Sequence, residues 1–500
     1  VAVLGLAALG WSGGAAAGGS AMHERSPSPA GERSRAYGAL SWRRCDGTFR
    51  CATLRVPVSY ARPAAGTIGI AVVELPATGR PLENVVMNPG GPGVSGVQFL
   101  EQAWNEFPAS LRAHANLVSF DPRGVGESAP VRCLTAAQMR QWLGYDPDPR
   151  TAGQIAGDVA QAKSFVTGCL ARNPRLLLAN LGTVDTAADL DRLRAALGQA
   201  RLDYIGFSYG TYLAEVYAER FPSHVGRLVL DGVIDPALPS SSAGLQQAIG
   251  FERELSSFFA WCAGDSACRG ELPAGAERSW RELMGRLEGG TTLQADLAPS
   301  FGGAQRVDLG MAETGAFEAL YWPSGWPALA EAIAEGLRGD GRRLALLAFG
   351  YAHVDFGTGS FANLLDVFTA VSCEDAPSPR AVTAYAALAA RFSRSAPDFG
   401  PVESWGALPC AYWPFPVTGL DGPVRAPGAP PVLVVGSTGD PATPYAWAQA
   451  VARQFRHAVL VTRDGVGHTG YDASACVRGI VDTYLEAGAL PRPGTVCASG

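Results

Sequence analysis

Gly206-Phe207-Ser208-Tyr209-Gly210 decides the reading of this 500-residue chain. The five residues close an apolar run over 202–207 and open a stretch, 208–219, with a helical pattern. A serine between two glycines at a strand-to-helix turn has a mechanical meaning. The turn is so sharp that the flanking positions need glycine to avoid Cβ clashes. It lifts the hydroxyl to the helix N-terminus, where developing negative charge is favoured. Ser208 is therefore the expected nucleophile. The bare pattern arises often by chance; the strand before it and the helix after it give it weight.

A serine hydroxyl is a weak nucleophile without a base. Downstream, the apolar run 432–435 leads into Gly436-Ser437-Thr438-Gly439-Asp440-Pro441, and the run 459–461 leads into Gly465-Val466-Gly467-His468-Thr469. The order Ser, Asp, His, each after a strand, makes Asp440 the expected acid and His468 the expected base. His23, His114, His224, His353 and His457 sit in the leader, in other loops, in the inserted segment or at a strand start, and read as ordinary surface or core histidines. Asp464 is too close in sequence to His468 for the usual geometry. Thr443 before Pro444 reads as a helix N-cap with Pro at the first helical position. Asn88-Pro89-Gly90-Gly91-Pro92-Gly93 follows the run 85–87 and suits an oxyanion hole, which needs backbone N–H groups at close approach. Pro92 has no N–H, so the Gly91 N–H is paired with that of Tyr209. In Phe120-Asp121-Pro122-Arg123-Gly124, Asp121 and Arg123 are expected to form an internal ion pair without a catalytic role.

Working outward, 54–58 and 68–73 read as an opening antiparallel hairpin. The runs 84–88, 116–121, 202–207, 227–231, 431–436 and 457–462 are short and continuously apolar, as a parallel sheet covered on both faces requires. Helical patterns, such as 186–197, lie between them. The fold class is thus α/β, a doubly wound and mostly parallel sheet of the α/β-hydrolase type. One stretch breaks the rhythm between the sixth and seventh core strands. Its patterns at 250–262, 276–287, 326–337 and 381–392 are helical, and an insertion there lands above the strands' C-terminal ends. The expected organisation is a signal peptide and flexible linker over 1–40, core over 41–235, a mostly helical lid over 236–430, and core again over 431–500. An independent second domain is the alternative to a lid. Tyr321-Trp322-Pro323-Ser324-Gly325-Trp326-Pro327 is free to wall a pocket or to pack the lid.

The net charge of −6, with no long basic run, gives no reason to expect a nucleic-acid partner. One lysine among forty basic residues points to the codon usage of a G+C-rich genome. The apolar start, 1–10, and the Gly/Ala-rich stretch after it resemble a signal peptide, with a low-complexity tail as the alternative. No run is long enough to span a membrane, so no membrane anchor is expected. Ten cysteines fall into neighbouring pairs. Sequence does not fix connectivity; the sequential set Cys45–Cys51, Cys133–Cys169, Cys262–Cys268, Cys373–Cys410 and Cys476–Cys497 is the expectation, and disulfides imply an extracellular location. With no Cys-x-x-Cys and no histidines clustered on the cysteines, neither a metal nor another cofactor is expected.

Taken in order, the motifs at 88–93, 121–124, 206–211 and 440–444 (Asp-Pro-Ala-Thr-Pro) resemble those of the secreted actinobacterial tripeptidyl aminopeptidases, relatives of the proline iminopeptidases. The resemblance runs from about residue 40 to the C-terminus. Pro89 stands where the iminopeptidases usually carry His, which weakens proline specificity. The resemblance implies a secreted serine aminopeptidase that releases di- or tripeptides from free N-termini; separately, a monomer is the expectation. Asp375, with Glu374 beside it, is then the expected anchor for the substrate ammonium, and Glu252 and Glu254 are weaker candidates. The alternatives are an esterase or amidase acting on a small molecule, and a non-catalytic binding protein on the same scaffold.

Overall fold

The structure, a computed structural model, describes residues 40–81 and 83–498. The expected signal segment lies outside the described residues. Twelve strands are present among the described residues: β1 (Arg43–Arg44), β2 (Arg50–Pro57), β3 (Thr67–Leu75), β4 (Glu83–Asn88), β5 (Ala115–Phe120), β6 (Leu202–Phe207), β7 (Val225–Asp231), β8 (Leu293–Asp296), β9 (Ala304–Val307), β10 (Val432–Gly439), β11 (Ala458–Val466) and β12 (Val496–Cys497). Ten of them form one sheet in the order β1-β2-β3-β5-β4-β6-β7-β10-β11-β12. The pairs β1–β2, β2–β3 and β3–β5 are antiparallel. Every later pair is parallel.

Continuous apolar strands produce a sheet with two buried faces. Val86, Tyr204, Leu230 and Val434 face one core with Phe165, Leu190, Leu213 and Val451. Their strand neighbours Val85, Ile205, Val229 and Leu433 face the opposite core with Phe99, Leu111, Val477 and Val481. Helices Ala152–Arg172, Thr183–Ala196, Tyr209–Arg220 and Tyr445–Gln454 supply the first set, and Gly96–Ala103, Ala109–His114 and Ala475–Ala487 the second. This is the doubly wound α/β-hydrolase arrangement the sequence predicts.

Between β7 and β10 lie helices Ser240–Gly264, Ala276–Glu288, Leu309–Leu320, Trp326–Leu337, Arg342–Tyr351, Leu364–Asp375 and Val382–Phe392. They have their own apolar core around Phe258, Trp280, Leu283, Leu329, Ile333 and Phe349. The small antiparallel hairpin β8–β9 interrupts the helices, a feature the periodicity does not reveal. This layer presses on the loops that leave the C-terminal ends of the strands. A Cβ on Gly250 would stand 2.2 Å from the Pro441 carbonyl oxygen, and one on Gly93 2.6 Å from that of Leu364. Asn363 Nδ2 donates to the carbonyls of Gly124 and Val131 at 2.7 and 2.8 Å.

Five disulfides join Cys45–Cys51, Cys133–Cys169, Cys262–Cys268, Cys373–Cys410 and Cys476–Cys497. No helix among the described residues is long and apolar enough to cross a membrane. Cross-linking restrains the unfolded chain more as the closed loop lengthens. Cys373–Cys410 closes 37 residues and Cys262–Cys268 only 6. Paired Cys→Ser replacement is expected to cost about 4 kcal/mol at the first and about 2 kcal/mol at the second. Denaturant midpoints of the two variants check the order; equal midpoints would refute it.

Candidate active site

Ser208 follows directly on β6 and has φ 55° and ψ −124°, a left-handed conformation that costs a non-glycine residue about 1–3 kcal/mol. Neighbouring groups hold it there. The Ser208 N–H donates to the Asp231 carbonyl at 2.9 Å, and the Ser208 carbonyl accepts from Thr211 Oγ1 at 2.7 Å. The flanking glycines are required by close approach: a Cβ on Gly206 would lie 2.3 Å from the Gly210 carbonyl oxygen, and one on Gly210 2.5 Å from that of Asn88.

The loop after β4 meets this turn because β4 and β6 are neighbours, with Asn88 opposite Gly206. A Cβ on Gly90 would sit 3.0 Å from Ser208 Cβ and 3.1 Å from the Tyr209 nitrogen. The Gly90 N–H is used by Asn88 Oδ1 at 3.0 Å. Among the described residues, no group of the chain accepts from the N–H of Gly91 or of Tyr209.

Asp440 and His468 form a sealed pair, 5% and 1% exposed. His468 Nδ1 lies 2.9 Å from each Asp440 oxygen. With a carboxylate on that side, the ring proton belongs on Nδ1 and the lone pair on Nε2. The Asp440 carboxylate also accepts the N–H groups of Ala442, Thr443 and Thr469 at 3.0, 2.8 and 3.1 Å. Burial alone would raise its pKa; the imidazole and these donors outweigh that and hold it below the usual carboxylate range. Burial in turn pushes the His468 imidazole down, against the pull of Asp440. Nε2 is buried without a hydrogen-bond partner, so no bond joins it to Ser208 Oγ in this structure. The two residues nonetheless flank one point. Asp231 carries the carbonyl that holds Ser208, and a Cβ on the adjacent Gly232 would touch His468 Cε1 at 3.1 Å. Catalytic hydrogen bonds in unliganded enzymes are often long and tighten with substrate.

A family model described as TAP-like protein matches residues 396–497. The serine protease Hip1 of Mycobacterium tuberculosis is 34% identical, over 90% of this chain and 88% of its own. The tripeptidyl aminopeptidase of Streptomyces lividans is 32% identical over 93% and 87%. The chain belongs to the tripeptidyl aminopeptidase family of α/β-hydrolases. It is a serine hydrolase. Another relative, 35% identical over 90% of this chain and 86% of its own, is the carboxylesterase B of Mycobacterium tuberculosis.

Several residues of this family member stand apart from their expected places. Thr443 is not a helix cap. Helix Tyr445–Gln454 starts after Pro444 with no side-chain cap, and the Thr443 hydroxyl donates instead to Asp440 Oδ2 at 2.9 Å. Asp121 and Arg123 do not pair. Asp121 accepts from Ser95 Oγ and the Val97 and Glu127 N–H groups, while Arg123 forms a two-pronged, buried bridge to Asp189 at 2.7 Å. Asp375 and Glu374 do not face the triad region as free anions. Glu374 accepts the N–H groups of Leu181 and Gly182 and the Trp413 Nε1 proton; Asp375 accepts the N–H and hydroxyl of Thr183. Both acids neutralise the N-terminus of helix Thr183–Ala196, where unpaired N–H groups favour negative charge. Thr183 Oγ1 is in turn hydrogen-bonded to the Tyr209 hydroxyl, which braces the helix after Ser208 from behind.

Sequence reasoning missed other residues because they mark no motif. The Asp231 carboxylate, fully buried, accepts the N–H groups of Gly470 and Tyr471 at 2.8 Å while its own carbonyl holds Ser208. It therefore ties the serine turn to the histidine loop. Arg463 donates to the carbonyls of Gly467 and Thr469, on either side of His468. From the helical layer, the Tyr321 carbonyl accepts the His468 N–H at 2.9 Å and Trp322 Nε1 donates to the His468 carbonyl at 2.8 Å. Trp326 packs in that layer against Trp261, which is the lid-packing role of the two the sequence left open. Three carboxylates stand near. Glu254, 2% exposed, lies one turn beyond Gly250 on the helix over Pro441, and burial pushes it up to about 8. Glu318 and Glu403 act with Tyr351 and Asp440 on the Tyr321 phenol, and burial pushes each of the two up to about 7.

Two outcomes follow from this geometry. A base acts only when neutral, and His468 deprotonates below the ordinary imidazole value. The acidic limb of kcat/KM against pH should therefore have its midpoint below about 6.5; a midpoint above that value contradicts the assignment. Asp231→Asn presents an amide N–H where two backbone N–H groups need an acceptor. Loss of one such charged hydrogen bond, worth about 1.5–3 kcal/mol, should lower kcat by roughly 10–100-fold. KM should change little, which steady-state kinetics checks.

Proposed function

We propose that this serine hydrolase is an exported aminopeptidase that cleaves short peptides, two or three residues long, from free N-termini through an acyl-enzyme on Ser208. The reading rests above all on the sealed Asp440–His468 pair, its Nε2 left without a partner beside the strained Ser208 turn. In this scheme Nε2 takes the Ser208 proton as Oγ attacks the scissile carbonyl, and Asp440 stabilises the imidazolium. The N–H groups of Gly91 and Tyr209 receive the oxyanion, an interaction worth about 10²–10³ in rate per donor. The imidazolium then protonates the leaving amine, and water, activated by the same Nε2, releases the acyl peptide.

Relatives bearing the names serine protease and tripeptidyl aminopeptidase support peptide bonds as the target. The helical layer supplies what an exopeptidase needs. Phe251, Phe317, Tyr321 and Phe399 form a buried aromatic cluster, with ring centroids 4.6 Å apart for Phe251–Phe317 and 5.6 Å apart for Tyr321–His468. Glu318 and Glu403, which bear on the Tyr321 phenol of this cluster, are assigned to the substrate ammonium in place of Asp375, with Glu254 closer to Asp440. The helices over 240–411 then act as a lid. Five disulfides support export. A second reading, hydrolysis of a small-molecule ester, is favoured by the relative named carboxylesterase B.

A fluorophosphonate probe should label the protein and fail to label Ser208→Ala; equal labelling removes this serine from the chemistry. His468→Ala should lower kcat by several orders of magnitude. Unblocked tripeptide anilides should be cleaved and their N-acetylated forms spared. Glu318→Gln with Glu403→Gln should raise KM for the unblocked anilide about 10–100-fold while leaving turnover of a small ester unchanged. Indifference to N-acetylation would leave the esterase reading in its place.

A further inference from the structure

Away from the triad, a cavity of about 280 Å³ opens where the loop 144–150 meets the helical layer. Asp146, Asp148, Glu288, Asp308, Glu313 and Asp398 line it, and its one cation, Arg150, is already bound to Asp148 at 2.6 Å. Some of these acids have internal work: Asp308 caps helix Leu309–Leu320 through the Met311 N–H, and Asp398 accepts from Trp280 Nε1. Glu313 has none. It is 7% exposed, it borders the cavity, and its Oε2 is buried without a partner. A carboxylate so placed costs stability unless it is neutralised or paired. Burial, with Asp398, Asp148, Glu288 and Asp146 around it, pushes its pKa well above the usual range. Nothing in the reaction at Ser208 uses it.

The kind of charge that fits is set by how the acids are spread. A divalent ion needs several oxygens converging on one point. Among the described residues, no three acidic, histidine or cysteine groups of this cavity bring their ligand atoms within 4.8 Å of one another. The negative charge is instead distributed among six lining acids, beside apolar Met284 and Leu287. We propose that this cavity binds an extended organic cation, with methylenes against Met284 and Leu287 and a terminal ammonium or guanidinium on Glu313. The shared chemistry has two sources, a free aliphatic polyamine or the basic side chain of a peptide. The inference does not depend on the peptidase reading.

Calorimetry of the whole protein decides it, with spermidine and N-acetyl-arginine amide as separate probes. Saturable binding of either supports the site, and the tighter probe identifies the source. Cation entry displaces the Glu313 proton, so the heat should change with the buffer's ionisation enthalpy. Glu313→Gln is nearly the same shape and removes a buried carboxyl without a partner, so the fold should be kept; it should weaken binding at least tenfold. Asp398→Asn, which keeps the Trp280 acceptor, should weaken binding as well. The proposal is overturned if neither probe binds, if both variants bind as wild type does, or if magnesium chloride at equal ionic strength displaces spermidine as well as an amine does.

Discussion

The close approach of two backbone segments, 88–91 and 206–210, governs this molecule. Their carbonyls and Cα atoms come so near that a Cβ at Gly210 would lie 2.5 Å from the Asn88 oxygen and one at Gly90 2.6 Å from that of Phe207. Such contact needs β4 and β6 as direct neighbours in parallel register, which fixes β5 on the far side of β4 and makes the early part of the sheet run out of chain order. It also forces Ser208 into a conformation that β-carbon sterics resist. That strain persists only because the surroundings over-determine it: a carbonyl at Asp231, a hydroxyl at Thr211 and the Asn88 loop each remove an alternative.

The histidine loop is held by a different principle. Its side chain is fixed by one carboxylate, but its backbone is gripped from two layers. Arg463 and Ser437 hold it from the sheet, and Tyr321 and Trp322 hold it from the inserted helices. Placing a base therefore depends on the inserted layer as well as the sheet. Asp231 joins the two arrangements, since its backbone serves the serine turn and its side chain the histidine loop. Tyr321 acts there through its backbone and Trp322 through its side chain, so only the second contact is lost on substitution.

Those two principles explain what could be read in advance. The strand bounds were legible because a sheet buried on both faces demands uninterrupted apolar runs, and Ser208, Asp440 and His468 stood out as candidates because each sits just past such a run, beside glycines with a steric reason to be there. Asp231, Arg463 and Thr443 were not. Each acts through pairing that closes only in three dimensions, and a lone Asp at a strand end has no local pattern. Glu374 and Asp375 misled for the same reason. The family resemblance makes the pair an anchor for the substrate ammonium, yet the N–H groups that consume it lie about 190 residues earlier. Strand order too is decided by which loops must touch, information no run of hydrophobicity carries.

The buried carboxylates separate by what the fold does with their cost. Asp231, Asp440, Glu374 and Asp375 are enclosed and fully engaged, so each stabilises a turn or a helix end. Glu215 is enclosed with both oxygens unpartnered and no exposure at all. Burial drives its pKa far up, and as a neutral acid it becomes packing on the helix behind Ser208. Glu254 and Glu313 are not engaged either, and only Glu313 borders a cavity. Each has one partnerless buried oxygen, Glu254 over the Asp440 loop and Glu313 at a cavity wall. A fold that can satisfy acids through distant N–H groups, as it does four times here, had the means to satisfy these two. Glu313, left unsatisfied at a cavity, has a proton that an incoming cation can displace, and that difference in environment separates it from the acids that build the structure.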